Sequence, residues 1–385
     1  MRRSGSLDRS VIRGLVALES DRERAFPLLA QLREGKKCWE DLSPEERSIL
    51  QGAPLIDLVL ERSYALRYDD PGEMVALADS GRILAENLKV RRYGRKVKAD
   101  LCARAWTELG NAFRVADDFA ASETAFDRAV DWAQQGTGDP GLWAHMNMLI
   151  AALLREQRHL GAAGELLDEV AEYHRREGEG EALVRVLLSR ALVYEEDHEP
   201  ASAVGVVIEA LEHMNWYSPL RLPAYNTLVD NLVGAGLYDL ARELLKRTRQ
   251  IYRRSGKLNQ YRLFWLEGRI AFGLGEDRVA EGKLNTARLA FKRVDQNYDA
   301  ALVGLDLALL LVRQERRHEV VWLVNDMLRT FRSLGIAREL IASLVLLKRS
   351  CDGRRSVEAL TLQIETIAAT LTELQRERPR QARRT

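Results

Sequence analysis

Cysteine, proline and aromatic residues are all scarce in this chain of 385 residues, and neither sign of charge is in real excess. The three cysteines, Cys38, Cys102 and Cys351, lie far apart. That spacing excludes a disulfide framework or a zinc knuckle and fits a reducing compartment. With only 9 prolines, long stretches of Ala, Leu, Arg and Glu are left free to form helix. Aromatics make up 7 %, and no stretch shows β-branched alternation, which argues against a sheet. A formal net charge of +1 gives no global attraction to nucleic acid or an anionic membrane, so any such binding needs a local patch. No run reaches the roughly 18 apolar residues of a membrane span. The longest, "AALVGLDLALLLV", is broken by Asp306. The N-terminal "MRRSGSLDRSVIRGLVALES" starts basic but meets Asp and Glu before an apolar core builds up, so it does not read as a signal peptide. These absences point to a cytoplasmic protein with no membrane partner.

What is present is a spaced pattern. In "AWTELGNAFRV", residues 105–115, a Leu-Gly-Asn step sits inside an apolar run. Counted from Trp106, small or apolar residues fall at offsets 3, 4, 7, 16, 20 and 23: Leu109, Gly110, Phe113, Ser122, Phe126 and Ala129. Asp117 and Asp118 interrupt the run. The spacing predicts two helices whose apolar faces meet, with Gly110 and Ser122 where the backbones come closest. The same offsets recur from Asn147, Leu187, Tyr225, Phe264 and, more weakly, Gly304. The residues opening each second helix are then Ser122, Ala163, Ala203, Ala241, Ala280 and Val320, at steps of 41, 40, 38, 39 and 40. A near-constant step is the mark of a stacked repeat. Turn signals at 136–141, 178–181, 218–223 and 255–257 fall between the pairs.

The series Trp106, Leu109, Gly110, Phe113, Ser122, Phe126 and Ala129 resembles the signature of the tetratricopeptide (TPR) repeat family. The first repeat is the specific match. Later repeats keep the spacing with looser residue types: Arg190 and Glu267 stand where the family has leucine, and the terminal proline is missing from most. The step exceeds the family's about 34 residues, which implies longer helices or wider loops. A HEAT or armadillo stack, with a period of about 40–47, is the alternative, and the Leu-Gly-x-x-Phe series argues against it. The resemblance covers residues 100–335. It implies an all-α fold, a right-handed α-solenoid of about six stacked helix pairs with long, bacterial-type repeats.

Residues 11–99 read as an N-terminal helical cap. Ser43, Pro44 and Glu46 form a capping box, Asp70, Pro71 and Glu73 repeat it, and the helices at 54–67 and 71–89 suit a degenerate leading repeat. A helical piece ahead of a repeat array also resembles the plan of some bacterial response-regulator-binding proteins. Residues 336–376 read as a C-terminal capping helix pair. Residues 1–10 and the basic tail 377–385 are charged and apolar-poor, and are expected to be disordered.

Motifs for chemistry are missing. No Walker loop, His-Glu-x-x-His or nucleophile elbow occurs, and the six histidines have no ligand spacing. The glycine turns "GEGEALVR" and "GLGED" follow helices, so they read as helix-end glycines and not phosphate loops. Glu195–Glu196 and Asp117–Asp118 sit at loop edges. No catalytic residue, cofactor or metal site is expected, and the chain does not read as an enzyme.

The resemblance implies that the first helix of each pair lines a concave groove. On that face fall Arg104, Asn111, Arg114, His145, Arg155, Arg185, Arg262 and Arg269. Arginine forks bind carboxylate and phosphate in pairs, so the expected partner is an acidic peptide or protein segment, and the protein a scaffold or regulatory module. In the family's peptide-carboxylate clamp an Asn follows the Leu-Gly step; Asn111 matches, while Leu149 stands at the place of the second Asn. A second reading starts from "KVRRYGRKVK", 89–98, where six basic residues surround Tyr93. A basic patch with an interleaved aromatic suits a phosphate backbone. On that reading the chain is a signal-responsive regulator, binding nucleic acid or a transcription factor through 89–98 or the N-terminal helices.

Overall fold

The computed structural model describes residues 9–67, 69–333, 344, 347, 351 and 356–381. Its helices, in chain order, are α1 (Arg9–Arg33), α2 (Pro44–Leu50), α3 (Ala53–Ala65), α4 (Pro71–Asn87), α5 (Val90–Tyr93), α6 (Arg95–Val115), α7 (Phe119–Gln134), α8 (Pro140–Glu156), α9 (Leu160–Glu177), α10 (Gly180–Glu196), α11 (Pro200–His213), α12 (Arg221–Gly234), α13 (Tyr238–Arg254), α14 (Lys257–Gly273), α15 (Asp277–Lys292), α16 (Asn297–Arg313), α17 (Arg317–Ser333) and α18 (Val357–Gln381). Among the described residues there is no strand. The fold is an all-α array of TPR-like helix pairs.

A two-residue turn, repeated six times, makes the pairs. Its first residue takes a left-handed backbone: Asp117 (φ 62°), Arg158 (67°), His198 (60°), Gly236 (72°), Gly275 (75°) and Glu315 (61°). The next residue, Asp118, His159, Glu199, Leu237, Glu276 or Arg316, donates its N–H to the carbonyl five residues back, at 2.8–3.0 Å. That bond closes the ending helix in a Schellman motif. The carbonyl of the same residue then accepts the N–H of the residue four later: Ser122, Ala163, Ala203, Ala241, Ala280 or Val320. One residue thus ends one helix and caps the next, which is why the period is so regular.

The helix starts follow local chemistry. Ser43 Oγ accepts from the Glu46 N–H (3.2 Å), and the Glu46 carboxylate accepts from the Ser43 N–H (2.7 Å), with Pro44 opening the helix. Asp70 accepts from the Glu73 N–H at 2.9 Å, and Asp118 from the Ala121 N–H at 3.1 Å. Each such cap satisfies a donor that would otherwise be orphaned.

The chain divides into two compact units at Ser189–Arg190, inside α10. In the first unit α3 packs on α4, α4 on α6, α6 on α7 and α8, and α8 on α9. A Cβ on Gly110 would lie 3.0 Å from the Phe126 ring, and Ser122 Oγ donates to the Gly110 carbonyl at 2.8 Å. The opening Leu-Gly-Asn step is therefore a helix crossing. Trp106 Nε1 donates to Glu86 at 2.9 Å, tying α6 to α4.

In the second unit α12 packs on α13, α14 on α15 and α15 on α16. Leu284, Phe291, Leu305 and Leu310 fill the core there, all at 1 % exposure or less. Leu360, Ile364, Ile367 and Leu371 form one buried face of α18, which packs on α16. The helix expected over 336–350 lies outside the described residues. α18 itself runs to Gln381, into the segment where a disordered tail was expected. Strong helix formers in "TELQRER" carry it past its last described buried residue, Leu371. At the other end α1 begins at Arg9; residues 1–8 and 382–385 lie outside the described residues.

Candidate functional site

The predicted groove cations are largely answered by carboxylates one repeat away. Arg104 Nη1 donates to Asp57 at 2.7 Å, and Asp57 is also bridged to Arg22. Arg114 Nη1 donates to Glu156 at 2.5 Å, and its other nitrogens reach Asn111 Oδ1 at 2.8 and 3.3 Å. Asn111 is 1 % exposed and its carbonyl is spent on Arg114, so it does not face an open groove as expected. Arg155 lies 4.0 Å from Glu156. His145 Nε2 lies 2.8 Å from Glu108, and Arg185 sits on the surface 4.0 Å from Glu181. These six are not gathered into one site.

The expected nucleic-acid patch takes a different form. Tyr93 is fully buried, and its hydroxyl donates to Asp21 at 2.5 Å. Arg92 grips the same carboxylate with Nε and Nη2 at 2.5 and 2.7 Å. Asp21 is 5 % exposed, and hydrogen bonds from Arg92 and Tyr93 outweigh its burial and hold its carboxyl below the ordinary range. The aromatic that was to stack on a base is part of the core, because a short helix, α5, turns it inward against α1 and α3.

Arg262 and Arg269 do come together, at a cavity of about 760 Å³ in the second unit. Its walls are the first helices of successive pairs, α10, α12, α14 and α16, with Ala368 of α18 at one side. A ladder of polar contacts crosses it. Arg269 Nη1 donates to Asp230 Oδ1, linking α14 to α12. Its Nε lies 3.9 Å from Asp306 Oδ2, and Trp265 Nε1 donates to that oxygen at 2.5 Å, linking α14 to α16. Asn231 Nδ2 donates to Glu195 at 2.6 Å, linking α12 to α10. His198, one of the left-handed turn residues, lies at the rim.

The electrostatics are those of charges packed among protein atoms yet facing a void. Desolvation holds the proton of Asp230 and of Asp306 more tightly than usual, against the pull of Arg269. Desolvation alone would lower the Arg269 pKa; attraction to Asp230 and then Asp306 raises it instead. Asp230 keeps 44 % of its side-chain surface and Asp306 28 %, both turned to the cavity. Asn226 Oδ1 is buried without a hydrogen-bond partner. Sequence reading missed Asp306, Asn226 and Trp265. Asn226 and Trp265 share a ruler position, one after the anchor, and a search of that position would have found them.

The fold and this cavity define a class: helical-repeat proteins with a ligand-sized hollow on the first-helix face. Comparison with protein-family models and with curated proteins finds no match. Solved structures do match in fold. The apo form of RapI shares a TM-score of 0.61 at 11 % identity, over 82 % of this chain and 87 % of that one. A Rap protein complexed with competence and sporulation factor gives 0.55 at 12 %, over 83 % and 88 %. The apo form of the quorum sensor NprR from B. thuringiensis gives 0.53 at 13 %, over 89 % and 97 %. At these identities the likeness is one of fold. No described helix is long and apolar enough to cross a membrane.

Proposed function

We propose that the protein is a non-catalytic regulatory module that binds a peptide, or a segment of a partner protein, in the cavity of its second unit. The observation that carries this is the hollow itself: about 760 Å³, lined by the first helices of successive pairs, with the buried acceptor Asn226 Oδ1 left without a donor. Pockets of this size with a few convergent polar groups are where ligands bind. The related folds support it, since one Rap protein is complexed with competence and sporulation factor and NprR is a quorum sensor. The acidic segment expected from the arginines finds less support, because most of those cations already face protein carboxylates.

The test is selection of a displayed random 12-residue peptide library on the full-length protein. Leu302 lines the cavity, and Leu302→Trp would place an indole in it and obstruct a bound chain. Enriched peptides should bind the unaltered protein and lose at least tenfold in affinity on the variant. No enrichment, or peptides that bind both proteins equally, would sink the proposal.

A further inference from the structure

Exposed apolar side chains are scattered over this protein, with one exception. Helix α1 carries Ile12, Leu15, Val16 and Phe26, from 42 % exposed at Leu15 to 78 % at Phe26, more such residues than any other described helix. A concentration of that kind marks a contact surface. The face has an order. Positions 12, 15, 19, 22, 26 and 29 alternate steps of three and four, so they form one stripe along the helix. They read Ile, Leu, Glu, Arg, Phe, Leu: two apolar residues, an acid, a base, two apolar residues. Reversed, the pattern matches itself with the charges exchanged. Glu19 and Arg22 are paired at 2.8 Å, and Asp57 on α3 holds Arg22 at 2.8 Å, so the arginine is fixed in place on this face. The two ends of the stripe differ in shape. Beside its C-terminal end, Phe26 and Leu29 line a hollow of about 450 Å³ with Pro54 and Leu58 of α3. At its N-terminal end Ile12, Leu15 and Val16 stand exposed.

We propose that this face binds a second copy of the same chain, with the two α1 helices antiparallel about a two-fold axis between residues 20 and 21. Ile12 then faces Leu29 of the partner subunit, Leu15 faces the partner's Phe26, and Glu19 faces the partner's Arg22. The apolar N-terminal end of each α1 lies along the hollow of the other copy, and a two-fold contact of this kind closes on itself. A parallel pairing would set Glu19 against Glu19 and Arg22 against Arg22, and like charges across an interface are unfavourable. The order of charges therefore selects the direction. What favours a second copy over an unrelated helix is the match of polarity at all six positions. The contact is one helix pair, small beside a standard stable interface, so the dimer depends on concentration. It lies in the first unit and does not rest on the peptide-binding reading.

The experiment is sedimentation velocity of the full-length chain across the micromolar range. The protein should pass from a 43.7 kDa species to one of twice that mass as concentration rises. Phe26→Glu and Leu15→Glu should each weaken the dimer by about tenfold or more. Both side chains are exposed, circular dichroism checks that each variant is folded, and either suffices should the other not fold. Cross-linking reads the direction. With the exposed Cys38 removed as Cys38→Ser, the double variant Leu15→Cys, Phe26→Cys should form a disulfide-linked dimer under mild oxidation, and either cysteine alone should not. A chain that stays monomeric throughout overturns the proposal. So does a dimer that Phe26→Glu and Leu15→Glu leave intact, since its contact would lie on another face. Cross-linking by Leu15→Cys alone, as complete as by the pair, would mean parallel helices and overturn the antiparallel register.

Discussion

Two glycines in the same unit should respond in opposite directions to the same substitution. Gly268 and Gly304 both lie inside helices, α14 and α16. Replacing a mid-helix glycine by alanine gains about 0.5–1 kcal/mol, because glycine loses more backbone freedom on folding. At Gly304 the new methyl would lie 3.5 Å from Met327 Sδ and 3.7 Å from Arg288 Cδ, which is ordinary contact, so the gain is kept. At Gly268 it would lie 2.8 Å from Leu284 Cγ and Cδ2 and 3.2 Å from the Leu284 backbone nitrogen. Leu284 is 0 % exposed and has nowhere to go. Overpacking of this kind costs about 1–3 kcal/mol. Set against the helix gain, Gly268→Ala should lose about 1 kcal/mol and the two variants should differ by about 2. Urea unfolding of the full-length chain, followed by the fluorescence of its seven tryptophans and by comparison with the unaltered protein, reads this difference. With a slope of about 2 kcal/mol per molar for a unit of this size, the midpoints should lie about 1 M apart. If both variants shift the same way by the same amount, close helix approach is not why glycine stands at 268.

Two further expectations follow from local geometry. Glu315→Gly should stabilise the second unit by about 0.5–1 kcal/mol in the same assay, since Glu315 holds φ 61°, where a Cβ is unfavourable; a loss of stability would mean that the turn needs the glutamate side chain. The Ser43 N–H, then Lys37, then the Ser43 hydroxyl pull the Glu46 pKa from 4.5 down to about 2. A lowered carboxyl favours folding above pH 4.5, and that contribution fades as pH falls towards 2. An NMR titration of Glu46 should therefore show its midpoint rise in Ser43→Ala, which removes the hydroxyl and costs about 1 kcal/mol of helix cap; an unmoved midpoint would refute the capping-box account.

The helix pairs were legible because what sets them is local and repeated. Buried small residues at Ser122, Ala163, Ala203, Ala241 and Ala280 each have 0 % exposure, and their 38–41-residue spacing is visible without a structure. The turn was not legible, although it recurs five residues before each of them. Only Gly236 and Gly275 advertise a left-handed backbone; Asp117, Arg158, His198 and Glu315 adopt it without the usual residue. The charge pairing was hidden for a different reason. Arg114 and Glu156 are 42 residues apart, Asp230 and Arg269 39, and Trp265 and Asp306 41. Each separation is one repeat. A cation read within its own repeat looks free; its partner stands near the same register on the next first helix.

That register also shapes the candidate site of the second unit. In the first unit Arg114 and Glu156 meet with side-chain exposures of 15 % and 9 %, a largely buried pair. Such a pair ties neighbouring repeats together. Breaking it would strand a buried charge, so its effect on stability would mask any effect on binding. In the second unit the same inter-repeat bond joins Arg269 to Asp230, but a second carboxylate, Asp306, comes in from the following helix. Both carboxylates keep part of their surface, 44 % and 28 %, at a cavity that Arg262 also lines. Charges left facing a void are cheap to keep only while water fills it. A ligand that displaces this water must replace its hydrogen bonds to carboxylates and guanidiniums alike, which gives the cavity a means of rejecting a peptide that fits it only in shape.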